Sequence, residues 1–208
     1  MTKASNMKEN FEQQHDLRKQ RGEEKYSVVH ASIIEATIEL LDSKVFTDVT
    51  VPLIAQQADC SVPSIYNHFP DALPEIFQHA SATVRDLGFR FNQEKVNQAT
   101  GMDILKIMLE GLSEVYISHR NMSHAMASYA NYAAVKGGWM PTIATTLEPL
   151  FERVRKDQEL PVSVKELAHL TSVIGRGLNH FWSINGLSDE EYLELFSQSA
   201  NMALKAKS

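Results

Sequence analysis

Eight histidines raise metal binding first. His119 and His124 are five positions apart across an expected helix break, and His169 and His180 are eleven apart, too far along one helix to share an ion. No HxxxH or HExxH spacing occurs. The single cysteine, Cys60, excludes an internal disulfide and a cysteine-based zinc site. No metal and no cofactor are therefore expected. No Ser-His-Asp set or carboxylate pair can be assembled from spacing, and "GRGLN" at 175–179 is not a dinucleotide-binding GxGxxG, so no enzyme is expected either. What remains is the stretch "SVPSIYNHFP", Ser61 to Pro70, which sets hydroxyls, an amide, an imidazole and a phenol on one short element.

Local chemistry defines that element. Thr50 precedes "VPLIAQQA", whose Pro52 sits where a first helical turn has no use for an N–H. The "DCS" that follows is long enough only for a tight turn. Ser61 is a suitable N-cap, Pro63 again lies in a first turn, and Phe69-Pro70 ends the second short helix because the residue before proline avoids the α region. Leu53, Ile54, Ala58 and Ile65 can lock both short helices against a longer first helix over 23–43, where Val29, Ile33, Ala36, Thr37, Leu40 and Leu41 recur at spacings of three and four. Residues 1–22 read as a flexible arm whose Arg18, Lys19 and Arg21 could touch phosphates.

"TVPLIAQQADCSVPSIYNHF" resembles the helix-turn-helix of TetR-family transcriptional regulators, through Thr50, Val51, Ile54, Ala55, Ala58, Ser61, Ile65, Tyr66, His68 and Phe69. The resemblance reaches back through the first helix and on to about Phe77, roughly a quarter of the chain. It implies an N-terminal three-helix DNA-binding domain (23–71) and a C-terminal helical ligand-binding and dimerisation domain (72–208). The whole is expected to be all-α, with about nine helices. On the second short helix Val62, Ser64 and Asn67 should point outward. Asn can read adenine in a bidentate way, and Ser is less selective. Thr50, Tyr66 and His68 suit phosphates, which set register. Ser61 and Lys44 complete the expected contacts with double-stranded operator DNA.

Three departures from the family pattern stand out. Asp59 replaces the usual turn glycine, Val45 replaces a loop glycine, and Ala72 stands where a phosphate-binding lysine is frequent. The net charge is -6, and from Glu23 to Phe77 nine acidic residues face only Lys25 and Lys44. Phosphate neutralisation supplies most non-specific DNA affinity, so this domain has little of it. Either the acids point away from DNA while hydroxyls, helix N-termini and the basic arm hold phosphates, or DNA binding is weakened or lost.

Beyond about 72 the chain reads as helices over 72–94, 102–119, 121–135, 142–156, 163–182 and 188–205, the last opened by a "SDEE" capping box. Met108, Met122, His124, Met126, Tyr129, Trp139, Phe151 and Trp182 could line a mostly apolar pocket for a small apolar or aromatic ligand. By the resemblance, the last two helices meet their copies in a homodimer. Leu167, Leu170, Ile174, Leu178, Leu195, Phe196 and Met202 are the expected interface, with Gly175 and Gly177 permitting close approach. No apolar run approaches the roughly 20 residues a membrane span requires, and a cytoplasmic location is expected. The function implied is a ligand-responsive DNA-binding regulator, most often a repressor. The alternative is a helical ligand-binding or protein-interaction module with weakened DNA binding.

Overall fold

A computed structural model describes the backbone of residues 3–135 and 143–205, and the side chains of 23–129 and 143–205. The described residues form eleven α-helices and one 3-10 turn, with no strand. They are α1 (Lys3–Ser43), α2 (Val51–Gln57), α3 (Val62–His68), α4 (Leu73–Phe91), α5 (Gln93–Gln98), α6 (Asp103–Ser118), α7 (Arg120–Val135), α8 (Ala144–Asp157), α9 (Val164–Ser183), α10 (Asp189–Ser197) and α11 (Ser199–Lys205). The 3-10 turn spans Phe46–Asp48.

Two of the nine expected helices are split, which accounts for the higher count. Asn92 adopts φ -112° and ψ 25° between α4 and α5, and its side-chain amide donates to the Ile107 carbonyl at 3.2 Å. Near Gln198, the Ser197 hydroxyl bonds back to the Glu194 carbonyl at 2.9 Å and competes with the helical ladder. The expected arm is a second correction. Residues 3–22 continue α1 as helix, because this Lys-, Glu-, Gln- and Arg-rich stretch holds no proline and no glycine before Gly22.

The chain forms two compact units. The first takes the described chain up to Leu40 together with Val49–Ala80, and the second takes Leu41–Asp48 and the chain from Ser81 onward. The division thus falls within α4, nine residues beyond the expected boundary at 71/72, since Ile76, Phe77 and Ala80 are buried with the first unit's residues.

In the first unit Ile33, Ile54, Ile65, Phe69, Ile76 and Ala80 have no exposed surface. Ile33, Ala36, Thr37 and Leu40 are buried as the spacing on α1 requires. Val51 and Ala55 join Ile54 in the core, whereas Leu53 and Ala58 are only half-buried. The core of the second unit gathers Leu105, Met108, Leu109, Leu147, Phe151, Trp182 and Tyr192. Its close packing depends on Gly88 of α4, where an added Cβ would lie 2.8 Å from the Leu112 Cα. Asp42, at the end of α1, accepts the Met122 N–H at 3.0 Å and lies 2.9 Å from His119 Nδ1, so one carboxylate holds the start of α7.

Candidate nucleic-acid interface and ligand site

The turn between α2 and α3 closes as its residues dictate. Asp59 takes φ +50°, a left-handed conformation that Asp tolerates better than most side chains, and the Cys60 N–H bonds back to the Ala55 carbonyl at 2.9 Å. Cys60 is half-buried, and burial, followed by the Asp59 charge, pushes its thiol up. The Ser61 hydroxyl accepts the Ser64 N–H at 3.2 Å and caps α3. Phe69 ends α3 with its N–H on the Ile65 carbonyl at 2.8 Å. Ala72 then takes φ +54°, and the Asp71 N–H is held by the Glu75 carboxylate at 3.1 Å.

With Ile65 and Phe69 turned fully inward, α3 presents its other face. Asn67 is exposed, Tyr66 is 50% exposed, and Val62 and Ser64 are half-buried. Thr50, Ser61 and Lys44 are exposed as well, and the Thr50 hydroxyl makes no cap bond. His68 is the exception. Only 9% exposed, it stacks on Tyr26 at 4.0 Å and lies 5.7 Å from the His30 ring, so its expected phosphate contact is corrected to a packing role. None of the nine acidic residues of this region lies on α2 or α3, and Asp59, in the turn between them, is the one carboxylate within the motif.

The expected ligand residues divide. Met108, Phe151 and Trp182 share one apolar cluster. Met122, Met126 and Tyr129 are buried on α7, where the Tyr129 ring meets Phe46 edge-on at 6.2 Å. Trp139 lies outside the described residues. His124 meets the Trp182 ring edge-on at 4.5 Å, and its buried Nε2 has no hydrogen-bond partner among the described residues. Burial and then the Arg120 charge hold His124 below its ordinary value, against a smaller opposing pull from Asp189.

Three residues around Trp182 carry no signal in the sequence. Tyr192 stacks on the ring at 4.6 Å, Arg120 sits 5.6 Å over it, and Asp189 accepts both the indole N–H at 2.8 Å and the Arg120 guanidinium at 3.0 Å. The Tyr192 hydroxyl is buried without a partner among the described residues, and burial drives its phenol well above the ordinary range. A surface groove of about 600 Å³ lies elsewhere, lined by Glu152, Arg155, Glu159, Leu160, Ser163 and Lys165 among others, and none of the expected ligand residues that the structure describes lines it.

The expected dimer residues also divide. Leu167 and Phe196 are buried within their own unit, and an added Cβ on Gly175 would lie 3.3 Å from the Phe196 ring, so these three serve internal packing. Leu170, Ile174, Leu178, Leu195 and Met202 are half-buried. The open face of α9 instead carries Val173 at 63% and Phe181 at 56% exposure, with Gly177 between them and nothing within 4 Å of its Cβ position. Ile184, just past the helix, is 59% exposed.

A capped two-helix motif rooted on a third helix, joined to a larger helical unit, defines a helix-turn-helix regulator fold. Residues 33–71 match the family model "Bacterial regulatory proteins, tetR family". No curated protein matches the chain. A TetR transcriptional regulator from Rhodococcus sp. RHA1 superposes with a TM-score of 0.63 at 16% identity, covering 88% of this chain and 100% of the other. A TetR-family regulator from Pseudomonas syringae pv. tomato str. DC3000 gives 0.54 at 18% identity, covering 84% and 94%. A TetR-family regulator from Mesorhizobium loti MAFF303099 gives 0.56 at 16% identity, covering 87% and 97%. The chain therefore has the fold of TetR-family DNA-binding regulators and carries that family's N-terminal motif. Among the described residues no group of three or more His, Cys, Asp or Glu is placed to hold a metal ion, and no helix is long and apolar enough to cross a membrane.

Proposed function

We propose that this protein is a ligand-responsive repressor that binds operator DNA as a homodimer. The observation that carries the reading is the tip of α3, where Asn67, Tyr66 and Ser64 stand on a helix anchored by fully buried Ile65 and Phe69. Asn67 and Ser64 read base edges. Tyr66, Thr50 and Ser61 hold phosphates, and the absence of acids from α2 and α3 lets them approach the duplex despite the negative net charge. Replacing Ser64 and Asn67 by Ala weakens binding to a duplex enriched from a random pool by about 1–3 kcal/mol per lost base contact. Titration of wild type and double variant against that duplex checks this, and equal affinities would remove both residues from the readout.

Dimerisation is supported by the open stripe of α9. Val173, Gly177, Phe181 and Ile184 follow helical spacing, and two-fold pairing of such a face buries apolar surface otherwise left in water. Phe181→Glu is expected to sediment as a monomer at micromolar concentration where wild type sediments as a dimer. A dimeric Phe181→Glu protein would move the interface elsewhere.

Ligand response is supported by the surroundings of Trp182. The Tyr192 hydroxyl and the His124 Nε2 are buried beside one indole without partners among the described residues, and an aromatic ligand with one or two polar atoms would satisfy both. A ligand that prefers a conformation with a different spacing of the two recognition helices then shifts the population and frees the operator.

A further inference from the structure

Behind the recognition helix, three imidazoles meet from three helices. The His30 ring of α1 lies 5.7 Å from that of His68 on α3 and 5.4 Å from that of His79 on α4. Phe69 stacks on His30 at 4.4 Å and meets His79 edge-on at 5.4 Å, and Tyr26 stacks on His68 at 4.0 Å. The Nδ1 atoms of His30 and His68 are both buried without a hydrogen-bond partner among the described residues. Once protonated, imidazoles arranged in this way stand as like charges 5.4–5.7 Å apart. A proton on His30 places a cation between two further groups able to become cations, with a buried N–H that has no acceptor.

We propose that the His30–His68–His79 cluster is a proton-operated latch that seats the recognition helix at neutral pH and loosens it on acidification. The titratable and charged groups facing His30 are His68 from α3, His79 and Glu75 from α4, and Tyr26 one turn away on α1. Of these only the Glu75 carboxylate favours its charged form. Burial, then His79 and His68, hold His30 below the ordinary value of 6.5, and burial does the same for His68. Above 6.5 neither folded nor unfolded chain holds these protons, and the packing is intact. As pH falls below 6.5 the unfolded chain takes them up first, and stability is lost until the lowered values are passed. The window lies in the mildly acidic range, where histidine is the usual switch.

The effect on DNA rests on the proposed function, whereas the effect on stability does not. The test follows the urea midpoint and the affinity for the enriched duplex from about pH 7.5 to 5 in wild type and His30→Phe, a change that keeps a ring against Phe69 and cannot take a proton. Wild type is expected to lose midpoint steadily below 6.5 and to lose affinity by up to roughly a hundred- to a few-hundredfold, the scale of like charges about 5–6 Å apart at an effective dielectric near 20. His30→Phe is expected to make both curves clearly shallower, with His68 left to titrate in the cluster without His30. An identical fall in the variant, or no fall in wild type, overturns the latch. Should His30→Phe fail to fold, the exposed neighbour decides. His79→Gln should move the His30 proton-NMR titration up toward 6.5, and an unmoved titration overturns the proposal. A protein that binds no duplex even at pH 7.5 refutes the regulator reading, while the urea curves still judge the latch.

Discussion

Phe69→Ala is expected to lower the stability of the first unit by about 3–5 kcal/mol, the range for removing a fully buried phenylalanine. Phe69 has no exposed surface, and its ring is where His30 and His79 meet behind α3. Its N–H on the Ile65 carbonyl closes the helix. Removing the ring leaves a cavity that rigid helix ends cannot fill. A whole domain is stable by only about 5–15 kcal/mol, so the variant should show an early unfolding phase in urea and no binding to the enriched duplex at neutral pH. Phe69→Leu, which keeps most of the volume, should cost under about 1.5 kcal/mol and retain binding. A Phe69→Ala protein within about 1 kcal/mol of wild type would show that α3 is held by something other than this packing.

Trp182→Ala is expected to cost a similar 3–5 kcal/mol in the second unit, for a partly different reason. The indole fills the cluster formed with Leu105, Leu147, Phe151 and Tyr192, and its N–H also serves Asp189. Truncation removes the stacking partner of Tyr192 and the ring beneath Arg120, and one Asp189 oxygen loses its donor. Trp182→Phe separates these contributions. It keeps one aromatic ring in place and removes the N–H with part of the fused ring, at an expected cost of about 1–3 kcal/mol, less than truncation to alanine. Urea unfolding followed by circular dichroism checks both variants without depending on indole fluorescence. Equal costs for the two would place the whole effect in the bond to Asp189, and a negligible cost for Trp182→Ala would remove Trp182 from the centre of the unit.

What could be read from the sequence was what local chemistry decides. The Ser61 cap, the first-turn prolines, the left-handed Asp59 and the end of α3 at Phe69 each follow from a few neighbouring residues, and each is found in place. The Ser188–Glu191 capping box is likewise complete, with bonds of 3.2 Å and 2.8 Å, and those bonds hold the Glu191 carboxyl below its ordinary value. His68 was not legible in this way. Its burial depends on Tyr26 and His30, some forty residues earlier, which arrive only when α1 packs behind α3.

On α9 the apolar residues form two stripes, and periodicity cannot say which one belongs to the protein's own core. Leu167 and Gly175 lie on the inner stripe, and Val173 and Phe181 on the outer. The residues about Trp182 were missed for the same reason. Arg120 and Asp189 are sixty-nine positions apart and look like ordinary surface charges until the fold joins them. The breaks at Asn92 and Gln198 carry neither proline nor glycine to announce them.

A hydroxyl-radical footprint on the enriched duplex tests the central claim most directly. Two recognition tips reading successive major grooves of one duplex should give two protected patches related by a dyad, centred about 34–36 Å apart, and both should vanish together in the Ser64→Ala/Asn67→Ala protein. A single patch, protection that survives the double substitution, or no protection at a concentration where the protein is dimeric would contradict the assignment of α3 as the reading element.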